Sequence, residues 1–316
     1  MGPTSNRFVR RLRAIAAGEF RRPAPPPCHN RGDFAAISRA VHALLDAPPA
    51  ILRDELAVAL FAKRKRQRWA AGRGHLSPSG KKVRCGMLVR QRYTEDCLAA
   101  AIRNGVRQYV ILAAGLDSSS QRCVGLPEGF RTFEVDREAV QVWKQALLKH
   151  CGFPRDAGVV YVSVDFERQE LFERLLDHQY DPRRPTFFSW LGCTQYLHEE
   201  AVYCMLEAIA RNAAAGSSIV LDYRLPPELL REKDAAHLRR MMAEGARGKV
   251  VWRSLFDPAA FEARLQDAGF KDVTNFGPDQ AAARYLDQRS DGMQFPAWTR
   301  IVQAGIPGKD VTRGAT

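Results

Sequence analysis

Residues 108–117 read Gln-Tyr-Val-Ile-Leu-Ala-Ala-Gly-Leu-Asp and decide the fold. The run from Gln108 to Ala114 is mostly β-branched or apolar, a pattern typical of a strand that is buried on both faces of a parallel sheet. Gly115, Leu116, Asp117 and three serines follow it, which is the composition of a turn. A buried strand that ends in such a turn predicts an α/β fold whose ligands bind where the strand ends.

Strands and helices alternate through the rest of the chain. Six further apolar runs predict strands at residues 131–135, 159–164, 186–189, 218–222, 272–276 and 299–304. Helical patterns fall between them, at residues 137–150, 168–178, 198–214 and 257–268. Repeated strand-helix-strand units with right-handed crossovers predict a doubly wound, mostly parallel seven-stranded sheet that is covered on both faces.

The residues before this sheet predict a leader and a helical cap. Residues 1–30 combine arginines with the run Pro23-Ala24-Pro25-Pro26-Pro27, which indicates an extended leader. Between Phe34 and Lys63 apolar residues recur at helical spacing, and Pro48-Pro49 interrupts them, so we expect two cap helices.

A loop then separates the cap from the next helix. Trp69 to Gly86 mixes glycines and a proline with lysines, so we expect a loop that could serve as a lid. Residues 87–105 return to helical period and stop at Gly105, a natural helix end. The expected domains are therefore the leader at 1–30, the helical cap and basic lid segment at 31–86, and the ligand-binding sheet domain at 87–316.

The chain is strongly basic. Its 48 basic and 35 acidic residues give a formal net charge of +13, which favours anionic partners. Nine basic residues and no acidic one lie between Lys63 and Arg84. This segment is open to three interpretations: a solvated face, a lid that recruits an anionic acceptor, or a nucleic-acid contact. The third is disfavoured because Trp69 is the segment's single aromatic residue.

Composition excludes several protein classes. Hydrophobic residues make up 46% of the chain and charged residues 26%, so it can bury a core. No apolar run approaches the roughly 18 residues that a membrane-spanning helix needs. Seven cysteines are scattered without a C-x-x-C pair, and no zinc-like spacing occurs. We therefore expect a cytoplasmic protein without membrane contact and without a metal site.

The ends of the first three strands predict a nucleoside cofactor. Small residues at Ala113 and Gly115 let a ligand approach the backbone closely. Asp136 ends the second strand and can accept hydrogen bonds from both hydroxyls of a ribose. The third strand ends in Asp165 and Phe166, a polar group and an aromatic surface for adenine.

The identity of that nucleoside follows from what the loop lacks. The pyrophosphate of a dinucleotide is bound by G-x-G-x-x-G at the start of a helix, and this loop has one glycine. A sulfonium nucleoside has no pyrophosphate. We therefore favour S-adenosyl-L-methionine over a nicotinamide cofactor, and a dehydrogenase remains the rival enzyme.

In their order, these motifs resemble those of the leucine carboxyl methyltransferase family. The likeness lies in the arginine segment 90–96, the loop 113–117, the strand 133–136 and the stretches 164–166 and 187–197, within residues 34–305. It implies a class I methyltransferase fold with an N-terminal helical cap that holds the acceptor. It also implies that Arg90 binds the methionine carboxylate of the cofactor. The cofactor-binding residues that it implies are Arg90, Ala113, Gly115, Asp117, Asp136, Asp165 and Phe166.

The sequence departs from the family pattern at two positions, and the second departure bears on the acceptor. Ala113 stands where the family often has glycine, and Leu191 stands where members that methylate a protein's C-terminal leucine have glutamate. The Trp190-Leu191-Gly192 form instead resembles bacterial relatives associated with secondary metabolism. We therefore expect an O-methyltransferase that acts on a carboxylate or hydroxyl of an anionic small molecule or peptide. The alternatives are a tRNA-directed or protein carboxyl methyltransferase, or a non-catalytic nucleic-acid-binding module.

The acceptor's chemistry determines which catalytic residues are needed. A carboxylate is ionised at pH 7 and needs cationic positioning groups such as Arg92, without a general base. A hydroxyl acceptor needs a base, and His198 or Glu199 is the candidate, although such a run also suits a helix N-terminus. Tyr196 could orient the acceptor. Trp252, like Trp190, could line an aromatic pocket or pack in the core.

Overall fold

The computed structural model describes residue 26 and residues 32–61, 77–153, 158–166 and 168–308. The predicted leader, apart from residue 26, and positions 63–76 of the basic segment lie outside these ranges. In chain order the helices are α1 Gly32–Leu45, α2 Glu55–Ala59, α3 Pro78–Arg103, α4 Ser119–Arg122, α5 Glu138–His150, α6 Leu171–Leu176, α7 Glu199–Asn212, α8 Glu232–Arg247, α9 Pro258–Asp267 and α10 Pro278–Ala281. The strands are β1 Gln108–Leu112, β2 Arg131–Asp136, β3 Val159–Ser163, β4 Thr186–Trp190, β5 Ser218–Arg224, β6 Lys271–Phe276 and β7 Thr299–Gly305.

All seven strands join one sheet in the order β3-β2-β1-β4-β5-β7-β6. Strands β1 to β5 pair in parallel, and β7 runs antiparallel to both β5 and β6. The predicted mostly parallel, doubly wound sheet is therefore confirmed. The strand order reverses between β1 and β4, and sheets of this kind bind ligands at the carboxyl edge beside such a reversal.

Strand β1 lies inside the sheet, between β2 and β4, and all five of its residues are buried. Val110 and Leu112 face one hydrophobic cluster, whereas Tyr109 and Ile111 face the cluster on the opposite side of the sheet. The Tyr109 hydroxyl forms a hydrogen bond of 2.9 Å with Ser189 Oγ on β4, so its polar group is satisfied within the core. This alternation explains why the sequence of β1 is apolar on both faces.

The cap helices α1 and α2 form as predicted, but the next segment differs from the prediction. Residues 78–86, expected to be loop, form the first turns of α3. Ser77 starts the helix because its Oγ accepts a hydrogen bond of 3.1 Å from Gly80 N, and Pro78 occupies the first helical position. A side chain at Gly86 would lie 2.9 Å from Pro296 Cγ, so this glycine serves helix packing and does not mark a loop. The expected domain boundary at residue 86 thus falls within one continuous helix.

The cap is tied to the turn after β1 through buried polar contacts. Arg39 on α1 donates from Nε to Asp54 Oδ2 at 2.6 Å and from Nη2 to the carbonyl of Leu116, also at 2.6 Å. Ser118 donates to the same Asp54 oxygen at 2.5 Å. Burial raises the pKa of Asp54, but the guanidinium groups of Arg39 and Arg122 outweigh it and hold that pKa below its ordinary value. The cap thereby fixes the loop that the sequence assigns to the ligand.

Helix α8 is absent from the sequence-based prediction. It buries only Ala235, Leu238 and Gly245, so its apolar stripe is too sparse to stand out in a polar sequence. Among the helices of the described ranges, none has the length and apolar character needed to cross a bilayer.

Candidate active site

A cleft of about 900 Å³ opens at the carboxyl ends of β1, β4 and β5. Its walls come from these strand ends, from α1 and α3, and from residues 241–253. Ligand sites typically measure roughly 300–1,000 Å³, so this cleft is large enough for a nucleoside and a second molecule beside it.

The turn after β1 lies against the end of β2. Gly115 N donates a hydrogen bond of 2.7 Å to Asp136 Oδ2, and Ala114 N donates to the carbonyl of Val135 at 3.1 Å. Gly115 has a φ of 45°, in the left-handed region that glycine adopts without strain. The structure therefore brings Gly115 and Asp136 together in one cleft, as the sequence predicts.

The Asp136 carboxylate is held at the edge of the cleft by two backbone amides. Its Oδ1 accepts from Arg137 N at 2.7 Å and its Oδ2 accepts from Gly115 N. Burial raises the pKa of Asp136, and these amides offset only part of the effect. No arginine or lysine forms an ion pair with this carboxylate among the described residues, so hydroxyl donors from a ligand would stabilise its ionised form.

The raised pKa of Asp136 leads to an expected pH dependence of nucleoside binding. Ribose hydroxyls donate to the ionised carboxylate, so affinity for S-adenosylhomocysteine is expected to fall as the pH drops through the pKa of Asp136. The loss can approach about tenfold per pH unit, and it should begin above the ordinary aspartate range. Calorimetric titration across this range measures it. Asp136→Asn should bind weakly with little pH dependence, and a wild-type profile identical in shape to that of the variant would contradict this role.

Ala113, at the start of the turn, has a φ of 54°, where an L side chain is strained. Ala113→Gly is therefore expected to stabilise the fold by about 1 kcal/mol, measured by urea denaturation. Ala114 is the matched control: it is buried, its φ is not positive, and glycine there should destabilise by about 0.5–1 kcal/mol. Destabilisation by both substitutions would refute the strain at Ala113.

Arg90 reaches the cleft from α3 and lies over the turn that follows β4. Its Nη1 donates to Asp222 Oδ2 at 3.0 Å. A Cβ at Gly192 would lie 2.6 Å from Arg90 Nη2, and Gly192 has a φ of 71°. Only glycine at residue 192 therefore lets the guanidinium lie against the backbone there.

Asp222, on β5, connects Arg90 to a second arginine. Its Oδ1 accepts from Gly192 N at 2.6 Å, and its Oδ2 accepts from Arg224 Nη1 at 2.8 Å as well as from Arg90. Burial raises the pKa of Asp222, but the two arginines outweigh it and hold that pKa below its ordinary value. Asp222 and Arg224 are absent from the sequence-based site. Their spacing of two residues at the end of an apolar strand, which places both on one face, is the signal that could have found them.

Comparisons with known proteins show the family to which the chain belongs. The sequence pattern of the family described as Leucine carboxyl methyltransferase matches residues 34–210, more than half of the chain. The chain belongs to the leucine carboxyl methyltransferase family. Its relatives include YktD of Bacillus subtilis, 28% identical over 206 residues that cover 65% of this chain and 67% of YktD.

Further members of the family come from mycobacteria. A Mycolicibacterium gilvum protein is 36% identical over 138 residues, which is 44% of either chain. Rv3399 of Mycobacterium tuberculosis is 29% identical over 209 residues, 64% of this chain and 60% of Rv3399. All three relatives are provisionally named S-adenosyl-L-methionine-dependent methyltransferases. The chain thus spans about two thirds of YktD and less of the mycobacterial relatives.

Two solved structures resemble the fold. A crystal structure described as a methyltransferase from Thermobifida fusca has a TM-score of 0.56 at 17% identity, over 90% of this chain and 99% of that one. A DUF574 family protein from Streptomyces avermitilis has a TM-score of 0.53 at 16% identity, over 86% of this chain and 97% of that one. The sheet order and these likenesses establish the class I methyltransferase fold.

Of the other residues that the family resemblance assigns to the cofactor, three line the cleft and one does not. Ala113 and Phe166 line the cleft, whereas Asp165 is not among the described residues that do. Asp117 also lines the cleft, but its Oδ1 accepts from both N and Oγ of Ser119, so this carboxylate holds the turn itself. Their roles toward a cofactor remain predictions.

Arg92 does not lie in the cleft. It is largely exposed and donates from Nε to Asp96 Oδ1 at 2.8 Å, on the outer side of α3. Successive residues of an α-helix are rotated by about 100°, so Arg92 points about 200° away from Arg90. The structure therefore corrects the expectation that Arg92 positions the acceptor.

The two predicted residues beyond β4 lie in different places. Tyr196 lines the cleft. His198 is exposed at the N-terminus of α7, is absent from the described lining, and contacts Arg253 Nη1 through Nε2 at 2.9 Å. Because its Nε2 contacts an arginine and its side chain is not part of the described lining, the structure does not support His198 as the base. Trp190 is fully buried in the core, whereas Trp252 lines the cleft.

Proposed function

We propose that the chain is an S-adenosyl-L-methionine-dependent O-methyltransferase whose acceptor is the carboxylate or hydroxyl of a small molecule or peptide. The observation that carries this proposal is the Gly115–Asp136 hydrogen bond at the reversal of strand order, with Arg90 in the same cleft. Family membership supports methyl transfer. The resemblance of the Trp190-Leu191-Gly192 form to bacterial relatives associated with secondary metabolism supports an acceptor of that kind.

The residues in the cleft fit S-adenosyl-L-methionine. Asp136 would accept hydrogen bonds from its ribose, Gly115 leaves room beside it, and Arg90 would bind its carboxylate. Gln195 adds a further indication, because its Oε1 is buried and has no hydrogen-bond donor in the described part of the chain. The Gln195 amide lies beside Gly192, 3.4 Å from its carbonyl oxygen, so a donor such as the cofactor's ammonium group would satisfy it.

The protein's contribution to the reaction is to position the acceptor. When bound, S-adenosyl-L-methionine supplies a methyl group on a positively charged sulfur. Cleft residues that hold an acceptor oxygen in line with that methyl group supply most of the rate enhancement. A carboxylate acceptor gains the methyl as a C–O bond forms and the S–C bond breaks. Its negative charge and the sulfonium charge are both lost, and no proton is released.

The cleft has few groups that could act as a general base. Its described lining contains no histidine, and its carboxylates are Asp117, Asp136 and Glu244. Asp117 and Asp136 accept hydrogen bonds from the turn after β1, which leaves Glu244 and the hydroxyl of Tyr196. A scarcity of bases favours an acceptor that is already ionised.

Cationic side chains outnumber acidic ones in this lining. The seven arginines and lysines in the described lining are Arg39, Arg84, Arg90, Arg137, Arg224, Lys249 and Arg253. Arg39 and Arg84 pair with Asp54 and Asp46, and Arg90 shares Asp222 with Arg224. No carboxylate of the described residues forms an ion pair with the other three cations of the lining, so a positive excess remains. This excess supports an anionic acceptor.

The described part of the basic segment gives no support to a nucleic-acid role. Lys81 donates to the carbonyl of Asp291 at 2.7 Å, and Lys82 donates to Asp234 at 2.8 Å. Arg84 is buried and pairs with Asp46. These three cations hold the start of α3 to neighbouring elements and do not form an open basic face.

Calorimetric titration of the purified protein with S-adenosylhomocysteine and with NADH tests the cofactor. We expect S-adenosylhomocysteine to bind and NADH not to bind, and the reverse result would contradict the proposal. Incubation with methyl-labelled S-adenosyl-L-methionine and separate pools of carboxylic acids, phenols and tRNA tests the acceptor. A labelled product that releases methanol in base identifies a carboxyl ester, and transfer to tRNA alone would exclude a small-molecule acceptor.

A further inference from the structure

Two buried guanidinium groups share one carboxylate at the floor of the cleft. The side chains of Arg90 and Arg224 are 8% and 6% exposed, and both pair with Asp222 Oδ2, whose side chain is fully buried. One carboxylate cannot neutralise two guanidinium groups, so the cluster carries an excess positive charge. A buried excess charge is costly unless a ligand of opposite charge compensates it.

Both arginines keep donors for such a ligand. In each of the two side chains, Nη1 is the only guanidinium nitrogen that donates to another described group. Arg90 Nη1 donates to Asp222, and Arg224 Nη1 donates to Asp222 and, at 3.3 Å, to the carbonyl of Tyr223. Nε and Nη2 of each side chain therefore remain available at a surface that lines the cleft. A guanidinium group with two free nitrogens can bind a carboxylate through two parallel hydrogen bonds.

The edge of the sheet that lines the cleft runs from Asp136 to Arg224 across four strands. Asp136 ends β2, Gly115 follows β1, Gly192 follows β4 beneath Arg90, and Arg224 ends β5. Neighbouring strands are about 4.8 Å apart, so Arg224 lies roughly 14 Å along the edge from Asp136. Arg90 enters from α3 and meets Arg224 at the shared Asp222 oxygen, so a nucleoside with its ribose at Asp136 and its carboxylate at Arg90 ends beside Arg224.

The cofactor does not remove the excess charge. At neutral pH S-adenosyl-L-methionine carries a sulfonium, an ammonium and one carboxylate, so it adds a net positive charge to the cleft. Arg224 then still lacks an anionic partner beyond its share of Asp222. No acidic residue of the described lining forms an ion pair with Arg224. Within the described ranges its only carboxylate partner is Asp222.

An apolar wall adjoins Arg224. The Trp252 ring centre lies 6.0 Å from the Arg224 guanidinium carbon, and Trp252 is half-buried in the cleft lining. Met241 and Val250 line the same cleft. These residues and Arg224 all lie beyond residue 210, where the family match ends, so this wall lies outside the matched part of the chain.

We infer that Arg224 binds the carboxylate of the methyl acceptor while Trp252 contacts its apolar body. The acceptor is accordingly a carboxylic acid on a flat apolar frame. Asp222 acts as a positioning residue that keeps Arg90, which binds the cofactor, at a fixed distance from Arg224, which binds the acceptor. This inference rests on the proposed methyltransferase function and adds the substrate class and the residue that selects it.

The test uses two probes of nearly equal shape, 1-naphthylacetate and its neutral amide 1-naphthylacetamide. Their affinities for the full chain saturated with S-adenosylhomocysteine are measured by ligand-observed NMR. We expect the acid to bind at least about tenfold more tightly than the amide, a ratio that reflects a charge-assisted hydrogen bond. Arg224→Gln should abolish this ratio. Arg224→Lys, which keeps the charge but loses the planar fork, should retain part of it.

Two controls separate this inference from the proposed function. Arg92→Gln removes the same charge from the exposed side of α3 and should leave the acid-to-amide ratio unchanged. The affinity for S-adenosylhomocysteine should fall far less in Arg224→Gln than in Arg90→Ala, since Arg90 remains. An unchanged ratio in Arg224→Gln, or a tenfold loss of S-adenosylhomocysteine affinity with the ratio retained, would overturn the inference. Failure of the wild type to bind S-adenosylhomocysteine would overturn the proposed function instead.

Discussion

Replacing Arg90 by alanine is expected to weaken the binding of S-adenosylhomocysteine by about 100-fold, close to 3 kcal/mol. The substitution removes the cation that would bind the ligand carboxylate, at a place where burial strengthens a charged hydrogen bond. Calorimetric titration gives the affinity directly. Arg90→Lys should recover only part of the loss, because an ammonium group cannot form the paired hydrogen bonds of a guanidinium group.

Arg92→Ala provides the matched control for this measurement. Arg92 lies two residues further along the same helix, has the same charge, and pairs with Asp96 at the surface. Its loss should change the affinity by less than about twofold, since exposed ion pairs contribute little. Equal losses in the two variants would mean that a general field effect, and not contact at Arg90, governs binding.

Replacing Asp222 by asparagine is expected to destabilise the fold by about 3–5 kcal/mol at neutral pH. The amide would leave two buried guanidinium groups without their shared anion, and its NH₂ group would face a backbone N–H or an arginine. The free energy of unfolding from urea denaturation measures the effect. Because the pKa of Asp222 is held low, its contribution is complete above the unfolded pKa, about 3.9, and is lost as the pH falls through the folded value.

Asp96→Asn is the control for the Asp222 substitution. Asp96 also accepts from two arginines, Arg92 and Arg284, but its side chain is 22% exposed. Solvent screening reduces the expected loss there to less than about 1 kcal/mol. If the two asparagine variants lost equal stability, burial would not be the source of the effect at Asp222.

The sheet was predictable from the sequence because its strands are short, apolar and separated by recognisable turns. All seven predicted strands occur, and their boundaries differ by no more than two residues. The pairing of Gly115 with Asp136 was also predictable, since consecutive strands of a parallel sheet end at one edge. The resemblance of the sequence to a known family added Arg90, which no periodicity would single out.

The errors arose where local composition and tertiary context disagree. Glycines near Lys81 indicated a loop, yet the cap at Ser77 and the close contact of Gly86 with Pro296 support a helix there. Arg92 was chosen by its nearness in sequence to Arg90, although helical rotation turns it to the outside. His198 follows Tyr196 just past a strand end, which suggested a place in the site, but the structure has it exposed at the start of α7.

Asp222 was missed for a different reason. A single aspartate near a strand end is common, and its importance depends on Arg90, which is 132 residues earlier in the chain. Contacts over such distances in sequence are fixed by packing, which no local pattern reports. The D-x-R spacing within β5 remains the local clue, because it places an acid and a base on one face of a buried strand.

The 26-residue helix α3 carries Arg90, which we propose binds the cofactor, and belongs to the first half of the chain, whereas the wall beside Arg224 comes from the second half. Exchanging the segment from β5 onward with that of a relative should therefore transplant acceptor preference while leaving nucleoside recognition in place. Such a chimera can fold with both arginines in place only if the donor segment brings a carboxylate at position 222, because that single side chain connects α3 to β5 at the cleft.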